Sequence, residues 1–465
     1  MKIKFFLVLF LFSIFLFLRT YKLNGSLEFF SDMGRDLYTL IVALQDKKPI
    51  LLGPSISFLP LNQSPIYFYL LLPVFILTNY SLYTAVISIN LIYLIIFASI
   101  FYFYKKNNLF FSITWLVFLL FTFHPEIITQ IRYPWNPSFT PPFLVLALLA
   151  LFKLRKKYTR LQAVIFSLSL AIATGITYSL VPTVLILLLY SLYLRRKNIK
   201  ELVNFLAIWC LSFLLIFSPI FIFEIRHDFF FSKRLMMGEP WIDKPEILYL
   251  KKFLDLTSFI LGSKKIYLIY VTASALIANL LLDKKNRYYR LFLALFLTSF
   301  ILTWLMPFEL YSHYIFGVLI LWFFTLAFLK KYLFWPLLIL LLFSWLANTQ
   351  ISKYLEPAKR TTTQLENCVA QVCQKINFTP TFASTQAWYD YHAAYDFLFL
   401  LNKYGCSARD ITKTPGFAEQ MVVFADQGVY THNKTAFNEL TLFGESREVA
   451  QVACPGNIRV HILQK

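Results

Sequence analysis

Apolar runs separated by short polar stretches fill most of the first 348 residues of this chain. Each run has about 15–23 residues, close to the ~20 that a helix needs to cross the hydrocarbon core of a bilayer. The pattern predicts a polytopic α-helical membrane protein with about eleven transmembrane helices. The predicted spans cover residues 3–19, 82–104, 109–123, 138–153, 161–177, 178–194, 202–223, 266–282, 291–306, 313–329 and 332–348.

Basic residues between the runs predict how this bundle is oriented. If the N-terminus is cytoplasmic, every compact basic loop lies on the inner side, as the positive-inside rule expects. These loops are 105–108, 153–160, 195–200, 283–290 and 330–331. Eleven crossings then place the C-terminus outside, so the sequence predicts a multi-pass plasma-membrane protein with an extracytoplasmic C-terminal domain.

Segment 65–77 decides whether the number of crossings is odd or even, and therefore on which side the basic loops lie. It is apolar, but with about 13 residues it is shorter than a span, and it contains Pro65 and Pro73. We therefore predict a helix that lies in or dips into the outer leaflet, within a first outer loop over residues 20–81. The alternative is a short, tilted span.

Composition supports a membrane protein and argues against a nucleic-acid partner. Hydrophobic residues make up 58% of the 465 residues and charged residues only 15%, against about 25% in globular proteins. The net charge of +20 comes largely from clusters that flank apolar runs, where basic residues set topology. Membrane lipids are the expected partners.

The C-terminal stretch 349–465 reads as a soluble domain. A helical pattern over 361–375 and strand-like patterns over 420–425 and 458–463 predict a small α/β fold. Asp390, His392 and Asp396 lie close together in sequence, but they form no convincing nucleophile arrangement. Catalysis is therefore expected elsewhere.

Four of the five cysteines lie in this domain: Cys368, Cys373, Cys406 and Cys454. An even number in an oxidising compartment indicates disulfides. Since the first two share one predicted helix, each is expected to pair with Cys406 or Cys454. A zinc site is the alternative, although the spacing is not that of a zinc motif. The fifth cysteine, Cys210, lies in a span and is interpreted as packing.

The predicted outer loops hold most of the polar chemistry. In the first loop, Asp32, Arg35 and Asp36 are three and four residues apart, so they share one face if a helix runs from Asp32 to about Leu44. A helix cap with an Arg35–Asp32 pair is the simpler interpretation. Further along this loop, Tyr67 is either part of a structured re-entrant segment or an interfacial aromatic residue.

The later outer loops add arginines, aromatic rings and carboxylates. Arginine offers paired donors to phosphate, and aromatic faces suit sugar rings. An interfacial belt with a snorkelling arginine is the alternative for the second loop. The candidates in these loops are Glu126, Arg132, Tyr133, Trp135, Asn136, Glu224, Arg226, His227, His313 and Tyr314.

These residues resemble a known group of enzymes. The chain is similar over about residues 1–348 to membrane glycosyltransferases of the GT-C fold, in the protein O-mannosyltransferase, aminoarabinose-transferase and rhizobial lipopolysaccharide glycosyltransferase-like superfamily. The resemblance depends on five stretches. They are Phe30-Ser31-Asp32-Met33-Gly34-Arg35-Asp36, Leu52-Gly53-Pro54 with Pro65-Ile66-Tyr67-Phe68-Tyr69, Arg132-Tyr133-Pro134-Trp135-Asn136-Pro137, Phe223-Glu224-Ile225-Arg226-His227-Asp228-Phe229 and Ser312-His313-Tyr314.

The resemblance implies transfer of a sugar from a polyprenyl-phosphate donor to a hydroxyl of a glycan, lipid or protein acceptor, with inversion, on the outer face. It assigns the catalytic base to Asp32. Relatives often carry a second acidic residue where this chain has Asn136, and Glu126 is the nearest carboxylate.

Basic side chains would stabilise the departing phosphate, and we assign this role to Arg132, Arg226 and His227. The remaining candidates are assigned to substrate binding. They are Arg35, Asp36, Tyr67, Glu126, Tyr133, Trp135, Asn136, Glu224, His313 and Tyr314.

No cofactor is expected. Asp32, Asp36 and Glu126 could in principle hold a divalent metal ion, but none is predicted. The alternatives are a transporter or flippase of lipid-linked sugars and an O-antigen polymerase or ligase. The spans hold few of the ionisable residues that a coupled transporter needs, and a polymerase or ligase would not need an aspartate directly after the first helix.

Overall fold

A computed structural model describes residues 2–29, 31–56, 61–104, 108–237, 249–306, 311–347, 356–386, 394–426 and 439–465. The chain divides into two compact units. The first contains Met1–Tyr21, Ile50–Leu70 and Val86–Lys353. The second contains Lys22–Pro49, Leu71–Ala85 and Tyr354–Lys465. Parts of the predicted first outer loop therefore share a unit with the C-terminal segment, whereas the sequence suggests a single boundary at residue 348.

Apolar helices make up most of the chain before residue 348. In chain order the helices are α1 (Lys2–Thr20), α2 (Leu23–Ser26), α3 (Ser31–Gln45), α4 (Ile66–Leu77), α5 (Thr84–Tyr104), α6 (Asn108–Phe123), α7 (Pro125–Arg132), α8 (Thr140–Lys156), α9 (Arg160–Ile176), α10 (Val181–Arg195), α11 (Ile199–Arg226), α12 (Phe230–Met236), α13 (Tyr249–Leu261), α14 (Ile266–Leu282), α15 (Arg287–Trp304), α16 (Phe316–Ala327) and α17 (Lys331–Leu346). Short 3₁₀ turns at Asn136–Phe139, Tyr178–Leu180 and Ser312–Ile315 precede α8, α10 and α16.

Polar caps set where several helices begin. The side chains of Thr159, Asn198 and Asn286 accept hydrogen bonds from backbone amides three residues further on, at the starts of α9, α11 and α15. Each such bond satisfies one of the amides that a helix start leaves unpaired. All three caps lie in polar stretches between apolar runs, which explains why the sequence pattern locates these boundaries well.

Each of the eleven predicted spans coincides with a helix. Among the described residues, five helical stretches are long and apolar enough to cross a membrane, or up to seven if two bent pairs each count as one span. The bends are 68° between α6 and α7 and 73° between α13 and α14. The chain is a multi-pass membrane protein. Eleven crossings and a cytoplasmic N-terminus stay predictions.

The predicted leaflet helix 65–77 is α4, with 12 residues. At 1.5 Å per residue it spans about 18 Å, short of the ~30 Å of a hydrocarbon core. The chain before it folds back on itself, since Gly53 N donates to Gln63 O and Gln63 N donates to Pro54 O. The segment before α4 is thus structured, as expected.

In its described residues, the C-terminal segment forms a five-stranded sheet with three helices. The strands are β1 (Thr381–Gln386), β2 (Ala408–Arg409), β3 (Gln420–Asp426), β4 (Arg447–Cys454) and β5 (Ile458–Gln464), and the helices are α18 (Thr362–Lys375), α19 (Tyr395–Lys403) and α20 (Glu439–Phe443). The strand order is β2-β1-β3-β5-β4. Strand β1 runs parallel to β2 and β3, and β5 is antiparallel to β3 and β4. This confirms the small α/β fold.

Two disulfides join α18 to the rest of this sheet. Cys368 pairs with Cys454 at the end of β4, and Cys373 pairs with Cys406 just after α19. The expected pairing is confirmed and replaces the zinc alternative. Cys210 is exposed on α11 and takes part in neither disulfide.

Candidate active site

The first turns of α3 bring three predicted site residues together. Arg35 Nη1 donates to Asp32 Oδ1 at 2.7 Å, while Arg35 Nε and Nη2 donate to Asp36 Oδ1 at 3.0 and 2.8 Å. Asp36 is 1% exposed, whereas the Asp32 side chain is 29% exposed. Arg35 therefore holds both carboxylates on one face, and Asp32 is the more accessible of the two.

A second polar cluster lies around Gln130 on α7. Its Oε1 atom accepts hydrogen bonds from Trp135 Nε1 at 2.7 Å and Ser138 Oγ at 3.4 Å, and its Nε2 atom donates to Ser312 Oγ at 2.8 Å. Gln130 is 9% exposed. This glutamine was not predicted as a site residue, yet it fixes the Trp135 indole and joins two stretches that the sequence predicts to be outer loops.

Asn136 is held by partners far away in the sequence. Its Nδ2 atom donates to Gln63 Oε1 and to Ile176 O. Next to these contacts, Ser64 N donates to Gly175 O at 3.0 Å. The segment before α4 is thereby attached to the break between α9 and α10. An amide satisfies this arrangement, which gives a structural reason for asparagine where relatives often have an acid.

Arg132 is 1% exposed, and its Nη1 atom donates to Leu18 O and Tyr21 O at 3.4 and 3.0 Å. These carbonyls lie at the C-terminal end of α1, where a helix leaves them unpaired. In the same unit, the buried Arg19 donates to Phe121 O near the end of α6 at 2.7 Å. Arg132 thus has a helix-capping role, and its phosphate role stays a prediction.

Three further candidates lie at helix ends in the same unit. Tyr67 is 1% exposed, and its ring meets Phe139 edge to face with centroids 5.3 Å apart. Glu126 lies half-buried in the first turn of α7, and Tyr133 lies half-buried just after this helix. The packing of Tyr67 resembles that of a core residue more than that of a surface contact.

The charged residues at the end of α11 have distinct environments. Glu224 is 8% exposed and accepts hydrogen bonds from Phe231 N, Ser232 N and Ser232 Oγ at 2.9, 3.0 and 2.6 Å. Its carboxylate thereby caps the N-terminus of α12. Arg226 and His227 are exposed, and His227 Nδ1 lies 2.9 Å from Phe223 O, which leaves its Nε2 atom on the exposed side chain for a ligand.

Tyr314 lies half-buried in the 3₁₀ turn before α16. The side chain of His313 lies outside the part of the chain that the structure describes, as do Asp390 and His392.

Of Asp390, His392 and Asp396 in the C-terminal segment, the structure describes Asp396, which lies in the first turn of α19. Burial raises the pKa of its carboxyl to about 6, although the Phe397 and Asp396 amides and the Arg360 charge act in the opposite direction. Since its folded pKa lies above the ordinary value of 3.8, ionisation of Asp396 opposes folding, and stability is lost as pH rises from about 4 through about 6.

Asp396→Asn is therefore expected to raise the melting temperature of the full-length protein at pH 7.5 and to leave it unchanged at pH 4. The gain is at most about 3 kcal/mol, from ~1.4 kcal/mol per pKa unit. Thermal scanning of the purified chain at both pH values measures it. Glu445→Gln, at an exposed carboxylate, is the matched control. An equal shift at both pH values would show that charge is not the cause.

Among the described residues, no group of three or more His, Cys, Asp or Glu side chains is arranged to hold a metal ion. Asp32 and Asp36 are both bonded to Arg35. A cation at these carboxylates would lie next to the guanidinium charge.

The fold is that of the GT-C membrane glycosyltransferases. Among the solved structures that it matches are two crystal structures of ArnT, the aminoarabinose transferase, from Cupriavidus metallidurans, one bound to undecaprenyl phosphate and one in the apo state. Each has a TM-score of 0.65 and 11% identity, and the match covers 98% of this chain and 97% of the ArnT chain. No protein-family model and no curated protein matches the sequence.

Proposed function

We propose that this protein is a membrane glycosyltransferase that moves a sugar from a polyprenyl-phosphate donor to an acceptor hydroxyl on the extracytoplasmic face, with inversion. The observation that carries the proposal is the fold match over nearly the whole chain to an ArnT structure solved with undecaprenyl phosphate. Both the helical part and the C-terminal sheet segment are included in that match, since it covers 98% of this chain.

Asp32 is the proposed general base. Its carboxylate accepts the acceptor hydroxyl's proton while the hydroxyl oxygen bonds to the anomeric carbon and the bond from that carbon to the phosphate oxygen breaks. The electron pair leaves with the polyprenyl phosphate. Arg35 supports this role because its bond to Asp32 Oδ1 orients the carboxylate and leaves Asp32 Oδ2 for the proton.

The leaving phosphate gains negative charge and needs positive partners. Arg226 and His227 are exposed at the end of α11 and are proposed as the main phosphate contacts. Arg132 is a weaker candidate because its guanidinium already donates to two carbonyls at the end of α1. Basic side chains can stabilise this charge without a metal ion, so we propose none.

The test is transfer by the purified full-length protein in liposomes, with a panel of undecaprenyl-phosphate-linked sugars and with lipid, glycan and protein fractions of the cell envelope as acceptors. Mass spectrometry should find one donor consumed, undecaprenyl phosphate released and a matching mass gain on one acceptor. EDTA should leave the rate unchanged.

Excess undecaprenyl phosphate should inhibit the reaction by competing with the donor. If intact donor instead crosses the bilayer without bond cleavage, the protein is a flippase and the proposal is wrong. Loss of activity with EDTA and recovery with Mg²⁺ or Mn²⁺ would overturn the metal-free mechanism alone.

A further inference from the structure

We propose that the C-terminal sheet segment holds α3 in place through Gly34, and that this contact sets the position of the Asp32 carboxylate during transfer. The inference rests on the proposed function, because it treats Asp32 as the base. It makes Gly34 a positioning residue and the C-terminal segment a working part of the site.

Gly34 lies directly against the backbone of α19. A Cβ atom built on Gly34 would lie 2.4 Å from Asp396 N, 2.5 Å from Asp396 Cα and 2.9 Å from Tyr395 C. Real side chains do not come this close, and backbone atoms cannot rotate away as a flexible side chain can. Glycine in the interior of a helix also destabilises the helix relative to alanine. A glycine here therefore has a packing reason, which is the close approach of α3 to α19.

The contact lies on the side of α3 opposite Asp32. Residues two apart on a helix are separated by about 200° around its axis, and residues four apart share a face. Tyr38 therefore lies on the Gly34 face, and its ring packs against Tyr395 with centroids 5.8 Å apart. Asp32 and Asp36 occupy the other face. Helix α19 thus supports the back of α3 and does not cover Asp32, whose side chain is 29% exposed on the opposite face.

Both ends of α3 are attached to the same segment. Before its start, the Phe29 ring lies 6.1 Å from Phe399 on α19. At its end, Arg409 Nη2 donates to Asp46 Oδ1 at 2.8 Å. The Cys373–Cys406 disulfide fixes the chain just after α19. Helix α3 is therefore held near both ends and in its middle, on a support that is itself cross-linked.

This support has a chemical consequence. A general base acts only within hydrogen-bond reach of its proton, and a displacement of about 1 Å can cost about 100-fold in rate. Any side chain at position 34 pushes α3 away from α19 and moves Asp32 with it. Asp32, Arg35 and Asp36 all remain present, so the chemistry is lost through position.

The test compares Gly34→Ala with Gly25→Ala. Gly25 also lies in the second unit, in α2, and a Cβ there would meet nothing within 4 Å. For Gly34→Ala we expect a kcat at least tenfold lower, with KM for the lipid donor within about twofold of wild type. Gly25→Ala should retain wild-type kcat. Alanine is the better helix former, so a loss in Gly34→Ala cannot come from helix propensity.

Hydrogen exchange of the α3 amides measures the contact without reference to activity. In Gly34→Ala, exchange over residues 31–45 should rise, while thiol labelling should still find both disulfides intact. Unchanged exchange with unchanged kcat would overturn the inference, and so would raised exchange with unchanged kcat. Full transfer by Asp32→Asn would instead overturn the proposed base, and the exchange result would still decide the contact.

Discussion

Replacing Asp32 with asparagine is expected to lower kcat for sugar transfer by about 10²–10⁴-fold, the usual contribution of a positioned general base. Asparagine has nearly the same shape, and its carbonyl oxygen can still accept the bond that Arg35 donates to Asp32 Oδ1. The local packing of α3 should therefore survive. The acceptor's proton then has no base, so kcat should fall while KM for the donor stays within about threefold.

Release of undecaprenyl phosphate by purified variants measures this prediction. Glu28→Gln is the matched control, because it removes an exposed carboxylate from the same loop and should leave the rate unchanged. Asp32→Asn with full activity would contradict the proposed base. A uniform loss in both variants would indicate damage to the loop, and melting temperatures would detect it.

The helices could be predicted because apolar runs and polar caps are local signals. The run predicted over 266–282 matches Ile266–Leu282 in the structure, and the run predicted over 202–223 matches most of Ile199–Arg226. Strand β4 was not predicted. All eight of its residues are exposed or half-buried, so the edge strand shows little hydrophobic contrast.

In the candidate site, too, local patterns could be predicted from the sequence and long-range contacts could not. Asp32, Arg35 and Asp36 were found together because three- and four-residue spacing on a helix is local. Gln63 and Gln130 were missed as site residues because their partners lie 73 and 182 residues away, at Asn136 and Ser312. An isolated glutamine has no pattern that predicts such a contact.

Arg132 shows a further limit of sequence reasoning. An arginine between aromatic residues and prolines suggests a phosphate site, but its nearest partners are carbonyls at the end of α1. Both roles need the same donor geometry, since phosphate and carbonyl oxygens accept equally well from a guanidinium. The sequence therefore predicts that the Arg132 guanidinium donates hydrogen bonds, but only the fold shows that carbonyl oxygens at the end of α1 accept them.

Substitution of both Cys368 and Cys454 with serine removes their disulfide. We expect this to lower the free energy of unfolding more than removal of the Cys373–Cys406 disulfide does. The Cys368–Cys454 disulfide closes a sequence separation of 86 residues, against 33 for Cys373–Cys406. Loop-closure entropy gives about 4–5 kcal/mol for the longer loop and about 3–4 kcal/mol for the shorter one, although measured losses are often nearer 2–5 kcal/mol. Thermal unfolding and protease resistance of the full-length chain measure the effect.

Cys210→Ser is the control for this variant, because this exposed free thiol closes no loop. Its melting temperature should equal that of the wild type, both without reductant and with it. The Cys368→Ser/Cys454→Ser chain should lose more stability than Cys373→Ser/Cys406→Ser, because it frees the longer loop. The opposite order would show that the native packing around each sulfur outweighs chain entropy. Cys368, Cys373 and Cys406 are buried, whereas Cys454 is half-buried. Loss of packing alone would therefore favour the opposite order, so the expected order would point to loop length.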